Sequence, residues 1–347
     1  MQGGVAIAGL SPIVVPIFIS NIGCPHRCLF CDQRQFSDPV DPEDVSRIVL
    51  DFIASCDRPD KRRRLIAFYG GSFTGINPDL SEKYIVVAQR LLKQGVVHGI
   101  KASTRPDMVS GRILSRLKDA GFVELELGAQ SMDDKVLDAS GRGHGAEHVI
   151  RASGLVKASG MKLGIQIMPG LPGEDRESFR RTVDEVVRLN PDCARIYPTV
   201  VMRGTGLFKL YEKGGYEPLD IDEAVSRSLY AYIRLTQAGC RILRMGLPPS
   251  KGLRIEAGPY HESFGFLVKA KAYRIMTQRL MEHAGSNVQV LVHPKDVSEL
   301  LGYRRNNIEE LCFSYSFDED LPRGYVQMKG ATERGCIQLK DIIEYIL

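Results

Sequence analysis

The sequence predicts an α/β protein in which a partial (β/α)6-type barrel is followed by a small C-terminal α+β appendage. Strand-like and helix-like runs alternate from residue 13 to about residue 245. The strand-like runs are short, apolar and nearly free of charge, as strands are when both faces of a sheet are covered. After residue 248 the rhythm changes to one long helical run followed by shorter pieces. We therefore predict one domain over residues 1–247 and a second over residues 248–347.

The strand-like runs are rich in Val, Ile, Leu and Phe, and they lie at Val14–Ser20, Leu65–Tyr69, Ile100–Thr104, Phe122–Leu127, Lys162–Met168, Ala194–Val200 and Cys240–Met245. Helix-length runs follow them, at Asp44–Cys56, Asp79–Lys93, Ser110–Ala120, Ala146–Ser159, Arg176–Leu189 and Asp222–Ala238. Such alternation predicts parallel strands joined by right-handed crossovers, so that the loops at the carboxyl ends of the strands carry the chemistry. In the appendage we predict helices at Phe264–Ala284 and Pro294–Leu301, a strand at Asn287–Val292, and further strand-like pieces that end in Cys336–Leu347.

The composition is that of an ordinary folded protein. The 347 residues carry 46 basic and 42 acidic side chains, and 44% of them are hydrophobic. These proportions exclude a disordered chain and a disulfide-held miniprotein. Residues 3–23 bear no charge, but Pro12 and Pro16 interrupt them and no basic residue flanks them, so we predict a buried strand rather than a membrane span or a signal peptide. We therefore expect a cytoplasmic protein with no membrane partner.

Three cysteines directly after the first strand give the strongest chemical signal. Cys24, Cys28 and Cys31 have C-x3-C-x2-C spacing, which lets three thiolates converge on one centre. Thiolates favour zinc, Cu(I) or iron–sulfur clusters, and a structural zinc site normally takes four protein ligands in two pairs. The other five cysteines are solitary: Cys56, Cys193, Cys240, Cys312 and Cys336. The pattern favours a 4Fe–4S cluster with one open iron, and a zinc site or a redox dithiol is the alternative.

Polar and glycine-rich segments follow the next strands. They contain Gly70, Gly71 and Ser72 after the second strand, Ser103 and Arg105 at the end of the third, Gln130 and Arg142 after the fourth, and Gln166 on the fifth. A double glycine at a strand end lets a ligand approach the backbone, or it forms a plain turn. On the fourth strand Glu124 and Glu126 share one face, where they meet a ligand or partner inside the barrel or else mark a solvated edge strand.

The cysteine spacing, with Phe30 directly before the third cysteine, resembles that of the radical SAM superfamily. The resemblance implies that Cys24, Cys28 and Cys31 hold a 4Fe–4S cluster whose open iron binds S-adenosylmethionine. It also implies that one electron from an external donor, such as a flavodoxin or a ferredoxin, releases a 5′-deoxyadenosyl radical.

Longer strings are similar to the oxygen-independent coproporphyrinogen oxidase branch and, more closely, to the catalytic subunit of Elongator: TRPD, GAQS, RGH, MPGLPG, RIYPTVVMRGTGL and LYEKGGY. This resemblance implies that Gly70 and Gly71 lie at the amino group of S-adenosylmethionine, that Gln130 and Arg142 reach S-adenosylmethionine, with Arg142 on its carboxylate, and that Gln166 lies near the adenosine. It also makes Phe30, Ser72, Ser103 and Arg105 candidate cofactor-binding residues. Ser103 stands where that family has Glu, only three residues separate Cys24 from Cys28, and we expect no acetyltransferase domain after the barrel.

The function predicted from these observations is that of a radical SAM enzyme, which abstracts hydrogen from a base of tRNA or another RNA. A small metabolite or a tetrapyrrole is the alternative substrate. A zinc-dependent, non-catalytic RNA-binding module and a barrel that binds S-adenosylmethionine without catalysis are the alternative functions. The basic runs Lys61–Arg64 and Arg304–Arg305 form either solvated faces or a nucleic-acid patch.

Overall fold

A parallel sheet curled into a half-barrel forms the centre of the molecule. The structure is a computed structural model that describes residues 11–35, 37–56, 62–250, 252–284, 288–329 and 335–346. The first nine strands are β1 (Ile13–Phe18), β2 (Arg64–Tyr69), β3 (Ile100–Thr104), β4 (Phe122–Gln130), β5 (Lys162–Ile167), β6 (Cys193–Ile196), β7 (Val201–Met202), β8 (Arg241–Met245) and β9 (Ile255–Ala257). Seven of them pair in the order β1-β2-β3-β4-β5-β6-β8, and each pair is parallel. The predicted α/β half-barrel is therefore confirmed.

Helices follow the strands of this sheet along the chain, and several of them pack against it. They are α1 (Val45–Ala54), α2 (Pro78–Lys93), α3 (Gly111–Asp119), α4 (Asp134–Ala139), α5 (Ala146–Ala158), α6 (Arg176–Leu189), α7 (Gly206–Glu212) and α8 (Ile221–Gln237). Local chemistry sets their starts: the side chain of Asn77 accepts a hydrogen bond from the Asp79 amide at the start of α2, with Pro78 at the first helical position. The short helices α4 and α7 were not predicted, because fewer than two full turns give too little periodicity to recognise.

Two barrel strands end three or more residues away from their predicted carboxyl ends. Strand β4 runs to Gln130 instead of ending at Leu127, so that it reaches into the site described below. Strand β6 ends at Ile196 rather than Val200. Pro198 lies within the missing stretch, and it has no N–H to donate to a neighbouring strand. The amides on either side of it, Tyr197 and Thr199, still donate to the carbonyls of Ile167 and Pro169.

The uncharged segment near the N-terminus forms a sheet strand. Val15 and Ile17 of β1 are fully buried, which confirms the predicted buried strand. Residues 3–10 of that segment lie outside the described residues. In the part of the chain that the structure describes, no helix is both long and apolar enough to cross a bilayer.

The C-terminal appendage packs on α8. It contains α9 (Phe264–Ala284), β10 (Gln289–Val292), α10 (Val297–Leu301), α11 (Asn306–Leu311), β11 (Ser314–Phe317), β12 (Tyr325–Met328) and β13 (Cys336–Gln338). The four strands form a second sheet in the order β11-β10-β12-β13. Leu229 of α8 shares a hydrophobic core with Val268 and Met276 of α9 and with Val290 of β10.

The appendage is the α+β unit that the sequence predicts, with one local error. We predicted strand-like structure to the end of the chain, but only Cys336–Gln338 is a strand, and Leu339–Tyr345 is a 3-10 helix. Asp341 caps this helix start through the amide of Gln338, which ends the strand. Lys61, Lys251, Asn287 and Leu347, which belong to predicted segments, lie outside the described residues. The boundary between residues 247 and 248 stays a prediction.

Candidate active site

A cavity of about 360 Å³ opens at the carboxyl ends of the barrel strands. It brings together eleven of the twelve site residues predicted from the sequence: Cys24, Cys28, Phe30, Cys31, Gly70, Gly71, Ser103, Arg105, Gln130, Arg142 and Gln166. The carboxyl ends of parallel strands meet at one edge of a sheet, so loops that are far apart in sequence share this cavity.

The cysteine loop, residues 24–31, places three free thiols at the cavity wall. Cys28 is buried, whereas Cys24 and Cys31 are half-buried. Two tight turns shape the loop, because the Cys24 amide donates to the carbonyl of Asn21 and the Cys31 amide donates to that of Cys28. Phe30 is buried and packs beside Cys28, which fixes the loop to the barrel. In the described residues, no three His, Cys, Asp or Glu side chains are placed to bind a single metal ion.

The thiols of Cys24 and Cys31 hold their protons in the absence of metal. Burial, followed by the neighbouring Cys28, raises the pKa of Cys31 to about 12 and also raises the pKa of Cys24. A metal centre binds thiolates rather than thiols, so loading this loop with metal releases protons.

Two buried arginines flank the thiols. Nη1 of Arg142 donates to Sγ of Cys28 at 3.0 Å, and Nη2 of Arg142 lies 3.0 Å from Nε2 of His144. Arg105 forms a double hydrogen bond with Asp107, with both distances 3.0 Å. Nε of Arg142 and Nη1 of Arg105 are buried without a partner among the described residues. Buried donors of this kind are costly unless an acceptor reaches them. Burial and the Arg142 charge lower the pKa of His144 to about 4, so this imidazole is neutral at pH 7.

The double glycine packs directly against the chain that leads into the cysteine loop. A Cβ atom on Gly71 would lie 2.5 Å from the carbonyl oxygens of both Ile19 and Ile22. Conversely, a Cβ atom on Gly23 would lie 2.2 Å from the carbonyl oxygen of Ser72. The two loops therefore touch backbone to backbone, and only glycine fits at either contact.

We expect Gly71→Ala to lower the free energy of unfolding by roughly 1–3 kcal/mol, because the added methyl group forces two backbone segments apart. Urea denaturation followed by circular dichroism measures this loss. Gly111→Ala is the matched control, since a Cβ atom there meets nothing within 4 Å. Equal stabilities of the two variants would contradict the predicted contact.

The remaining predicted residues are two glutamines, Gln130 and Gln166, and two serines, Ser72 and Ser103. Gln130 and Gln166 line the cavity, and Nε2 of Gln166 donates to Oε1 of Gln130 at 3.1 Å. Gln130 has a φ of 69°, a backbone conformation that is costly for a residue with a side chain and that concentrates at functional sites.

Ser103 lines the cavity, but Ser72 does not. The hydroxyl of Ser72 instead lies 2.9 Å from that of Thr104 and accepts a hydrogen bond from the Arg105 amide, so it braces two neighbouring strand ends.

A layer of paired charges, which we call the barrel floor, closes the lower end of the cavity; it consists of Lys101, Glu124, Glu126 and Arg195. The Lys101 ammonium contacts both carboxylates, and Nε of Arg195 donates to Oε2 of Glu126 at 2.7 Å. Below this layer lies a second cavity of about 250 Å³. Glu124 and Glu126 are 3% and 4% exposed on the central strand β4, so the edge-strand alternative is wrong and the carboxylates face inward.

Two tyrosines complete the floor. Nη2 of Arg195 donates to the Tyr69 hydroxyl at 2.9 Å, and Nη1 donates to the Tyr197 hydroxyl at 3.0 Å. Tyr69 in turn donates to Oε1 of Glu126 at 3.1 Å. Burial and the charge of Glu126 raise the pKa of Tyr69, which therefore stays protonated. Burial opposes the charge on Glu126, but Arg195 and Lys101 outweigh it and hold the pKa of that carboxyl below its usual value.

Sequence reasoning missed most of the floor. Lys101 stands alone in an apolar run, and nothing local marks it as a partner of the two glutamates. Arg195 on β6 and Tyr197 directly after it alternate with apolar residues, as Glu124 and Glu126 do on β4, and that alternation was the available signal that they share the inner face.

The residues present fit an iron–sulfur cluster with a bound carboxylate-bearing ligand. Three soft sulfur donors share one wall of the cavity. The buried, unpartnered nitrogens of Arg142 and Arg105 point to a missing acceptor beside them. A carboxylate satisfies two such donors at once, because its two oxygens accept in a fork geometry.

Two family models match the chain. The model described as the radical SAM superfamily covers residues 18–186, and the model described as the radical SAM C-terminal domain covers residues 191–274. A solved structure of an N-terminally truncated Elp3 from the archaeon Methanocaldococcus infernus has a TM-score of 0.61 at 22% identity, over 79% of this chain and 64% of that chain. This likeness is one of fold.

Curated relatives match over part of their length. The tRNA uridine(34) acetyltransferase of Methanocaldococcus jannaschii is 34% identical over 265 residues, which are 63% of this chain and 48% of the relative. Elongator complex protein 3 of Bos taurus is 38% identical over 245 residues, which are 68% of this chain and 44% of the relative. An uncharacterized protein of M. jannaschii is 30% identical, over 61% of this chain and 68% of the relative. The chain spans about half the length of the first two relatives.

Proposed function

This chain belongs to the radical SAM superfamily and is a radical SAM enzyme, and from that premise we propose that Cys24, Cys28 and Cys31 hold a 4Fe–4S cluster that cleaves S-adenosylmethionine. The observation that carries the proposal is the meeting of three free thiols with the Arg142 guanidinium, which lies 3.0 Å from Sγ of Cys28 in one cavity. When bound and reduced, such a cluster would supply the electron that breaks a carbon–sulfur bond of S-adenosylmethionine, giving methionine and a 5′-deoxyadenosyl radical, and the radical would abstract a hydrogen atom from the substrate.

The residues of this chain would then bind and orient S-adenosylmethionine. Arg142 has an unpartnered buried nitrogen for the carboxylate. Gly70 and Gly71 expose backbone for the amino group, and Gln130 and Gln166 present amide groups for the adenosine part. Ser103, Arg105 and Phe30 are further proposed contacts, and Ser72 supports Arg105 from behind. The barrel floor closes the cavity from below, which keeps water from a reactive intermediate.

The proposed substrate is a base of tRNA. This choice is supported by the relatives, one of which is named a tRNA uridine(34) acetyltransferase. Because the chain spans about half of that relative, we propose only the hydrogen-abstraction step for it and not the acetyl transfer. An external one-electron donor, such as a flavodoxin or a ferredoxin, is the proposed partner.

Anaerobic reconstitution tests the function. We expect about four irons and four sulfides per chain and formation of 5′-deoxyadenosine under reducing conditions, with deuterium transferred from labelled tRNA. One zinc per chain without 5′-deoxyadenosine would contradict the proposal and favour a zinc-dependent RNA-binding module. A cluster that binds S-adenosylmethionine without cleaving it would indicate a barrel that has lost catalysis. Cleavage without any transfer from RNA would point to a small metabolite or a tetrapyrrole.

A further inference from the structure

The lining of the active-site cavity carries an excess of positive charge. Its fully ionised side chains are five arginines and one glutamate, namely Arg27, Arg105, Arg142, Arg195, Arg244 and Glu126. Such an excess in a concave, partly desolvated site is unfavourable by itself, because like charges repel more strongly where the effective dielectric constant is low. It favours a ligand that brings negative charge.

Three of the five arginines already have ion-pair or hydrogen-bond partners. Arg105 is paired with Asp107, and Arg195 is paired with Glu126 and two tyrosine hydroxyls. Arg142 donates to Cys28 on one side and is the proposed carboxylate partner on the other. The charges and hydrogen-bond donors of these three arginines therefore have partners, either within the protein or on the proposed S-adenosylmethionine.

Arg244 differs from these three. Its guanidinium has no ion pair or hydrogen bond with any residue that the structure describes, although it lines the cavity and is exposed to it. Arg27, on the cysteine loop, also lacks such a partner. Arg244 stands on a strand of the barrel rather than on a loop, and a strand gives a binding group a fixed position.

The place of Arg244 in the sheet brings it beside the barrel floor. Strand β8 is an edge of the seven-stranded sheet, and Arg244 is in register with Arg195 on β6. Residues in register on adjacent strands share a face, so the two guanidinium-bearing side chains are neighbours on the inner face. Pro16 and Phe18 of β1, the opposite edge strand, line the same cavity. Arg244 therefore lies where the half-barrel is open between its two edges.

We propose that Arg244 binds a phosphate group of the substrate at the open edge of the barrel. The inference rests on the proposed function, because it concerns the substrate of that same cavity. A guanidinium donates two parallel hydrogen bonds to a phosphate, and the bound anion would balance the charge of Arg244, which has no counter-charge among the residues that the structure describes. The phosphate belongs either to the backbone of an RNA or to a small phosphorylated compound.

Binding of two probes to the reconstituted full-length protein tests the inference. The probes are a fluorescently labelled single-stranded RNA 12-mer and inorganic pyrophosphate. We expect Arg244→Gln to weaken binding about tenfold, which is the loss of one charge-assisted contact. The slope of log affinity for RNA against log salt concentration should fall by roughly one. Arg244→Lys should keep the salt slope while losing part of the affinity.

Arg241→Gln is the matched control, because Arg241 is an exposed arginine on the same strand that does not line this cavity. Weaker binding of RNA in Arg244→Gln identifies an RNA phosphate, and weaker binding of pyrophosphate alone identifies a small phosphorylated ligand. Equal affinities of Arg244→Gln and Arg241→Gln for both probes would overturn the inference. Iron content and 5′-deoxyadenosine yield of the wild-type preparation test the proposed function separately.

Discussion

Replacing Cys28 by alanine is expected to abolish both the brown absorbance of the reconstituted protein and its cleavage of S-adenosylmethionine. Cys28 is the most deeply buried of the three loop thiols and the one that Arg142 contacts. Without it, two thiols remain, which is one fewer than the three protein ligands of the proposed cluster. Ultraviolet–visible spectroscopy, iron analysis and detection of 5′-deoxyadenosine after anaerobic reconstitution measure the two losses.

The control for this experiment is Cys56→Ala. Cys56 is a half-buried free thiol outside the cavity. Its Sγ donates a hydrogen bond of 3.4 Å to the carbonyl of Phe52. We expect that variant to keep its iron and its activity. If Cys28→Ala still gave 5′-deoxyadenosine at the level of Cys56→Ala, the proposed ligand set would be wrong.

The second large effect concerns the barrel floor. Lys101→Met is expected to cost roughly 3–5 kcal/mol of unfolding free energy, because it leaves the buried carboxylate of Glu124 without a cation and leaves Glu126 with Arg195 alone. Lys101 and Glu124 are both nearly inaccessible to solvent, so water cannot take over the lost contact. Equilibrium denaturation in urea measures the change.

A second substitution separates charge from packing. Glu124 faces Lys101 and the Cys193 thiol but not Arg195, so Lys101→Met combined with Glu124→Gln should recover part of the loss by removing the carboxylate that has no other cation. Arg116→Met, which breaks an exposed ion pair with Glu82, should cost about 1 kcal/mol or less. A cost for Lys101→Met no greater than that for Arg116→Met would show that the floor does not depend on its charges.

Features that depend on residues close together in the sequence were predicted well. Strand β3 was predicted at both ends, and helix α6 matched its predicted bounds, because apolar periodicity and the Asp175 capping interaction are local. The cysteine loop was predicted because three cysteines within eight residues lie on one loop whatever surrounds them, and all three line the cavity. The order of loops around the cavity followed from parallel topology alone.

Features that depend on register across the sheet were not predicted. The partners of Glu124 and Glu126 come from β3 and β6, and pairing them requires knowing which residue stands opposite which. Ser72 was predicted to bind a cofactor because it adjoins the double glycine, and that role stays a proposal; its hydroxyl serves Thr104 and the Arg105 amide. Arg244 was not predicted as a site residue. What distinguishes it is a guanidinium in the cavity without an ion pair or hydrogen bond to any described residue, and only a structure reveals this.

The backbone contact at Gly23 and Gly71 makes one mechanical unit of two loops that belong to different strands. Both contacts are between backbone atoms, so neither loop can shift at the junction without displacing the other. In the proposed function, loading of the cluster and binding of S-adenosylmethionine would therefore be linked equilibria, and each would change the affinity for the other by the same factor.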